Sequence, residues 1–149
     1  MKPLFVLIIA FGLALSGTWL VGGGLDYRLA GRIAMSVMLA FTAMGHFKFT
    51  RGMEMMIPAF IPFRKSIVQL TGVIEVMAAA GLLIPSMAQV TGWLLILFFV
   101  LIIPANINAA LKHIDYQKGT YEGAGTGYLW FRVPLQLFFI AWVYLSAVY

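Results

Sequence analysis

Five apolar runs, at residues 4–21, 29–47, 66–84, 91–111 and 128–148, leave this chain few ways to fold. A hydrocarbon core roughly 30 Å thick is crossed by about 20 helical residues. In lipid every backbone N–H and C=O must bond within the protein, so such runs become helices. Charged residues make up 10% of the 149, and hydrophobic ones 62%. A soluble domain would carry about 25% charged residues. The expected fold is an all-α membrane protein, one domain over residues 1–149. It has a four-helix transmembrane bundle core, from the second to fifth runs, plus one additional N-terminal transmembrane helix. Lys2 ahead of an apolar run also suits a signal peptide. The length of that run and the lack of a small-residue cleavage motif favour a retained helix.

Lysine and arginine in short loops set the orientation. Lys2, Lys48, Arg51, Arg64, Lys65, Lys112 and Lys118 fall on one side, and Arg28 and Arg32 on the other. The N-terminus is therefore expected in the cytoplasm and the C-terminus outside, in a bacterial or archaeal membrane. A formal charge of +5 gathered in membrane-flanking loops is explained by anionic lipid, and nucleic acid is not an expected partner. With no cysteine in the chain, zinc–thiolate, iron–sulfur and disulfide-exchange chemistry are excluded for it.

Glu75 lies within the third run, nine residues after Ser66. Counted from Ser66, that is roughly 13 Å into the hydrocarbon. An ionisable group there is costly and is read as functional, with a partner. Four other polar side chains lie in the cytoplasmic halves of the runs. They are His46, Asn106, Arg132 and Gln136, the last one turn below Arg132 on the same face. The depths describe a funnel with His46, Asn106 and Arg132 at its mouth and Glu75 and Gln136 at its floor. An Arg132–Glu75 attraction, direct or through Gln136 or water, is the sharpest form of this reading. A purely structural reading stands beside it for each residue. Glu75 would then be only hydrogen-bonded across helices, Arg132 would snorkel to the headgroups, and His46 would sit at the interface. A metal held by His46, Glu75 and His113 has no ligand-spacing pattern behind it, and no metal or other cofactor is evident. Pro104 frees the carbonyl of Val100, which Asn106 and Asn108 are placed to satisfy.

Residues 49–65 mix basic, methionine, phenylalanine and proline residues. They suit a connector lying in the interface or a lid over a cavity. Residues 113–127 are polar and glycine-rich, the composition of a mobile loop.

Short pieces in order from Ala43 to Tyr144 carry a family resemblance. They include Gly45-His46-Phe47, Met56-Ile57-Pro58, Thr71-Gly72-Val73-Ile74-Glu75, Pro104-Ala105-Asn106-Ile107, and the stretch from Leu129 to Gln136. The chain resembles the DoxX-like family of small membrane proteins. The resemblance implies a core of four helices, and it selects His46, Glu75, Asn106, Arg132 and Gln136. Relatives are associated with quinol and thiosulfate:quinone oxidoreductases, and another is an animal chaperone of receptor assembly. A ligand-binding role follows as an expectation: a quinone or lipid-like molecule held with its head among these five residues. Two others stay open. One is a membrane-protein partner or assembly factor, alone or as a homo-oligomer. The other is an intramembrane acid–base enzyme using Glu75 and His46.

Overall fold

The computed structural model describes residues 2–149. Seven helices follow one another: α1 (Lys2–Gly22), α2 (Tyr27–Lys48), α3 (Thr50–Met56), α4 (Arg64–Leu83), α5 (Ala88–Leu101), α6 (Ile103–Leu111) and α7 (Leu129–Val143). A 3-10 turn, Thr126–Tyr128, leads into α7, and a π-helical turn, Tyr144–Val148, continues it. With α5 and α6 taken together, five helices are long and apolar enough to cross a membrane. They coincide with the five apolar runs, and each begins or ends within three residues of the expected bounds.

The α1–α2 turn shows the local chemistry that separates the runs. Gly23 takes a left-handed φ of 67°, which a side chain would strain. Asp26 then caps α2, its Oδ1 accepting from Leu29 N at 2.9 Å. Asp26→Ala removes that cap, and a loss of about 1 kcal/mol is expected in denaturant-melting curves of the purified protein.

α2 is the helix around which the others gather. It packs along both α1 and α4, while α5 packs on α4 and α7, and the C-terminal π turn returns against α2 and α5. Leu7, Met35, Met38, Leu39, Leu82, Leu95 and Val143 are fully buried between them. The opposite faces are as apolar as the core: Leu13, Leu20, Val21, Met77 and Leu101 are all more than half exposed. A helix apolar all round suits lipid rather than water. Small residues set the close crossings. A Cβ on Gly31 would fall 2.7 Å from Ser146 Cβ, and one on Gly92 3.1 Å from Ala147 Cβ. Such positions let helix backbones approach where no hydrophobic effect draws helices together. Trp142 ties α7 to α2 by donating from Nε1 to the Gly31 carbonyl at 3.1 Å, and its ring meets Phe11 of α1 edge-on, 5.0 Å between centroids.

Both long connections are built structures. Within residues 49–65, α3 packs against α4 and α6, and Asn108 Nδ2 donates to the Met56 carbonyl at its C-terminal end, at 2.7 Å. Phe60 and Phe63 project outward beyond it, 85% and 81% exposed. The 113–127 segment is not the open connector its composition suggests. Asp115 Oδ1 accepts from Gln117 N and Lys118 N, Asp115 bridges to Thr120, and Gly123 N donates to the His113 carbonyl at 2.6 Å. Glycine content here serves fit: a Cβ on Gly52 of α3 would run into the Tyr116 backbone, and one on Gly125 into the His113 ring.

Candidate functional site

The five polar residues picked out by sequence fall into two pairs and a separate arginine. The first pair joins α2 to α4. His46, in the last turns of α2, faces Glu75 of α4, with Nε2 3.5 Å from Oε1. Glu75 is 5% exposed, and the His46 side chain 17%. On the other side of the ring, His46 Nδ1 lies 3.0 Å from both the Val68 carbonyl and Thr71 Oγ1. Thr71 spends its own hydrogen on the Val68 carbonyl, at 2.8 Å. Nδ1 therefore carries a proton, because a carbonyl only accepts. Glu75 Oε2 is buried and has no hydrogen-bond partner among the described residues.

This geometry corrects the depth count. A Cβ on Gly72 would come within 2.8 Å of His46 Cβ, so Gly72 and His46 stand at one level. The first two turns of α4 thus extend past His46 toward the end of α2 and pack on α3. Glu75, three residues after Gly72, sits about one helical turn from the level of His46, not a funnel's depth below it. Thr71 is not among the five polar residues that depth selects, though its position four residues before Glu75 places the two on one face.

The second pair bridges α6 and α7. The α5–α6 break at Ile102, ahead of Pro104, interrupts the carbonyl ladder of the helix. Gln136 fills the gap from α7, its Nε2 donating to the Phe99 carbonyl at 2.8 Å. Its Oε1 accepts from Asn106 Nδ2 at 3.4 Å. Both side chains are buried. Gln136 thus meets the Phe99 carbonyl beside the break, not the Val100 carbonyl that Pro104 leaves without its N–H. Asn106 and Asn108 act elsewhere, on Gln136 and Met56.

Arg132 does not reach Glu75. Its guanidinium lies over the Tyr128 ring at 5.9 Å, and among the described residues the only ion pair is His46–Glu75. Height in a membrane says nothing of direction around a helix, and α4 turns Glu75 toward α2. Arg132 lines a cleft of about 430 Å³ instead, with Asn106 as its buried polar wall and Lys2, Tyr116, Glu122 and Tyr128 around it. His46, Glu75 and Gln136 are not part of its lining. The expected single funnel is therefore a cleft beside a buried pair. Among the described residues, no three His, Asp or Glu side chains gather to hold a metal ion. The His113 ring lies against Gly125.

Over the described residues, fold and site together define a small all-helical protein with five membrane-length helices, a buried acid–imidazole pair and a polar cleft at the end bearing Lys2. The chain belongs to a family described as a domain of unknown function (DUF8561), which matches residues 35–147. No curated protein and no solved structure matches it.

Proposed function

We propose that this is an integral membrane protein of DoxX-like character that binds an amphipathic small molecule, quinone or lipid-like, in the cleft between α6, α7 and the start of α1. One observation carries the reading. Arg132 and Asn106 line an opening whose volume, about 430 Å³, falls in the usual range of small-molecule sites. Its wall also includes Pro3, Ala109, Ala110 and Leu129. Lys2, Asn106, Asp115, Tyr116, Gln117, Glu122, Tyr128 and Arg132 face these apolar residues, so a polar head and an apolar tail would each find a wall. Lys2 and Arg132 share the cleft with Asp115 and Glu122 but form no ion pair with them among the described residues, which leaves both cations able to meet an electron-rich head. In this reading α2, α4, α5–α6 and α7 form the four-helix core, and α1 is added outside it. The family match begins within α2 and leaves α1 out, in keeping with that division. The basic end faces the cytoplasm, and any redox role, as a subunit of a membrane redox system, draws its electrons from a partner.

Mass spectrometry of organic extracts tests the proposal. Losing a charge-assisted hydrogen bond costs about 1.5–3 kcal/mol, so Arg132→Gln should lower the co-purifying molecule roughly tenfold or more. Equal extracts from wild type and Arg132→Gln would sink it. If extracts stay equal while a membrane-protein partner is lost in pull-downs, the role is that of an assembly factor. The His46–Glu75 contact favours a second reading, an intramembrane acid–base enzyme using those two groups. It predicts that Glu75→Gln abolishes turnover while leaving the extracted molecule in place.

A further inference from the structure

The buried α2–α4 contact is separate from the cleft and has a chemistry of its own. Thr71 gives its hydrogen to the Val68 carbonyl, so the His46 Nδ1 hydrogen is committed to that carbonyl and Thr71 Oγ1. The ring is therefore fixed with Nδ1 protonated, and only Nε2 remains to be decided. Nε2 faces Glu75 Oε1 at 3.5 Å. A bare Nε2 lone pair against an ionised carboxylate would set two acceptors facing each other in a buried site, with no donor for either. One proton between them removes the conflict, either as imidazole with carboxylic acid or as imidazolium with carboxylate. Each arrangement leaves the pair neutral as a whole, which a membrane-buried position demands.

We propose that His46 and Glu75 form a proton-binding site that holds one shared proton, with His46 as the end that exchanges with water and Glu75 as the buried store. The half-buried His46 ring sits near the end of α2, while Glu75 is sealed behind it. Glu75 Oε2 is the open valence of the site, a buried acceptor without a donor among the described residues. Releasing the proton to water through His46 leaves carboxylate and neutral imidazole, with Oε1 and Nε2 both lacking a hydrogen. Loss of the proton is thus coupled to separation at the α2–α4 contact, or to arrival of another donor at Oε2. The charges on the surrounding helices do not supply that donor. Lys2 of α1, Arg28, Arg32 and Lys48 of α2, Arg51 and Glu54 of α3, Arg64 and Lys65 of α4 and Arg132 of α7 form no ion pair with either group among the described residues. α5 carries no charge.

The full chain contains two histidines, His46 and His113, so isotope labelling at the histidine nitrogens gives two assignable sets of NMR signals. His113 is exposed and serves as the internal reference. In the wild type, the His46 nitrogens should titrate along a different curve from those of His113. Glu75→Gln should displace the His46 curve and move its Nε2 resonance while leaving His113 unchanged. A His46 curve superimposable between wild type and Glu75→Gln would overturn the proposal, since a merely structural contact does not share a proton. Should Glu75→Gln fail to fold, infrared spectra decide. In a Glu54→Gln/Glu122→Gln background Glu75 is the one glutamate left, and isotope-labelled glutamate identifies its carboxyl band. A pH-dependent band displaced by His46→Gln supports the shared proton, and a band indifferent to His46→Gln refutes it.

Discussion

Gly52→Val is expected to undock α3 from the 113–127 segment and to cost roughly 3 kcal/mol. The carbonyl and Cα of Tyr116 occupy the space a Gly52 side chain would need. Backbone cannot rotate away as the tip of a long side chain can, so the substitution must move one whole element. That element also carries the ring contact between Phe49 and Tyr116, 6.2 Å between centroids, and the Asn108–Met56 hydrogen bond. Both are lost if α3 withdraws. The cleft wall shifts with them, because Met56 and Tyr116 belong to its lining. Two measurements check the expectation: a lower midpoint in detergent-denaturation curves, and faster proteolysis within residues 113–127. Gly12→Ala provides the contrast. A Cβ there meets nothing within 4 Å, and replacing a mid-helix glycine gains about 0.5–1 kcal/mol. If Gly52→Val and Gly12→Ala behaved alike, the close approach of α3 to Tyr116 would not exist in solution.

The contrast between these two glycines also shows where sequence reasoning reaches and where it stops. Apolar runs bounded by Gly22–Gly24, Pro85 and the 113–127 segment announce the five long helices, because lipid leaves no alternative backbone. Pro104 likewise announces the break before α6. What stays hidden is azimuth. Depth along the membrane groups Arg132 with Glu75, but the two point to different neighbours, Tyr128 and His46. The level of Glu75 is hidden too, because the first turns of α4 stack on α3, which the sequence gives no reason to expect. The order within residues 113–127 is hidden for a related reason. Its glycines resemble those of a flexible linker until Tyr116 and His113 are seen pressing on Gly52 and Gly125. The donors for freed backbone carbonyls come from far along the chain: Gln136 for Phe99, and Asn108 for Met56. Asn106, expected at a funnel's mouth or on freed backbone, is buried, and its partner is the side chain of Gln136.

Gln136→Leu should therefore be the most damaging of the conservative polar replacements, at roughly 2–4 kcal/mol for two buried groups left without partners. Leucine keeps the approximate volume and removes both functions of the amide. The Phe99 carbonyl loses its donor at the very place where the helix break leaves its ladder incomplete. Asn106 Nδ2 loses its acceptor at the same time. Water does not replace the donor at Phe99 readily, since Gln136 is 7% exposed and is not part of the cleft's lining. Gln136→Glu tests the same point from the other side. A carboxyl buried there without a cation is held as the acid, whose O–H can donate to Phe99 while its C=O accepts from Asn106. It should be better tolerated than leucine. Asn106→Leu should also cost less than Gln136→Leu. The Gln136–Phe99 bond, the shorter of the two at 2.8 Å against 3.4 Å, survives it. Unfolding titrations of the three variants in one detergent give the order. If Asn106→Leu proved the most harmful, the amide of Gln136 would not be what closes the α5–α6 break. Asn106, which lines the cleft, would then be holding the helices together from the cleft side.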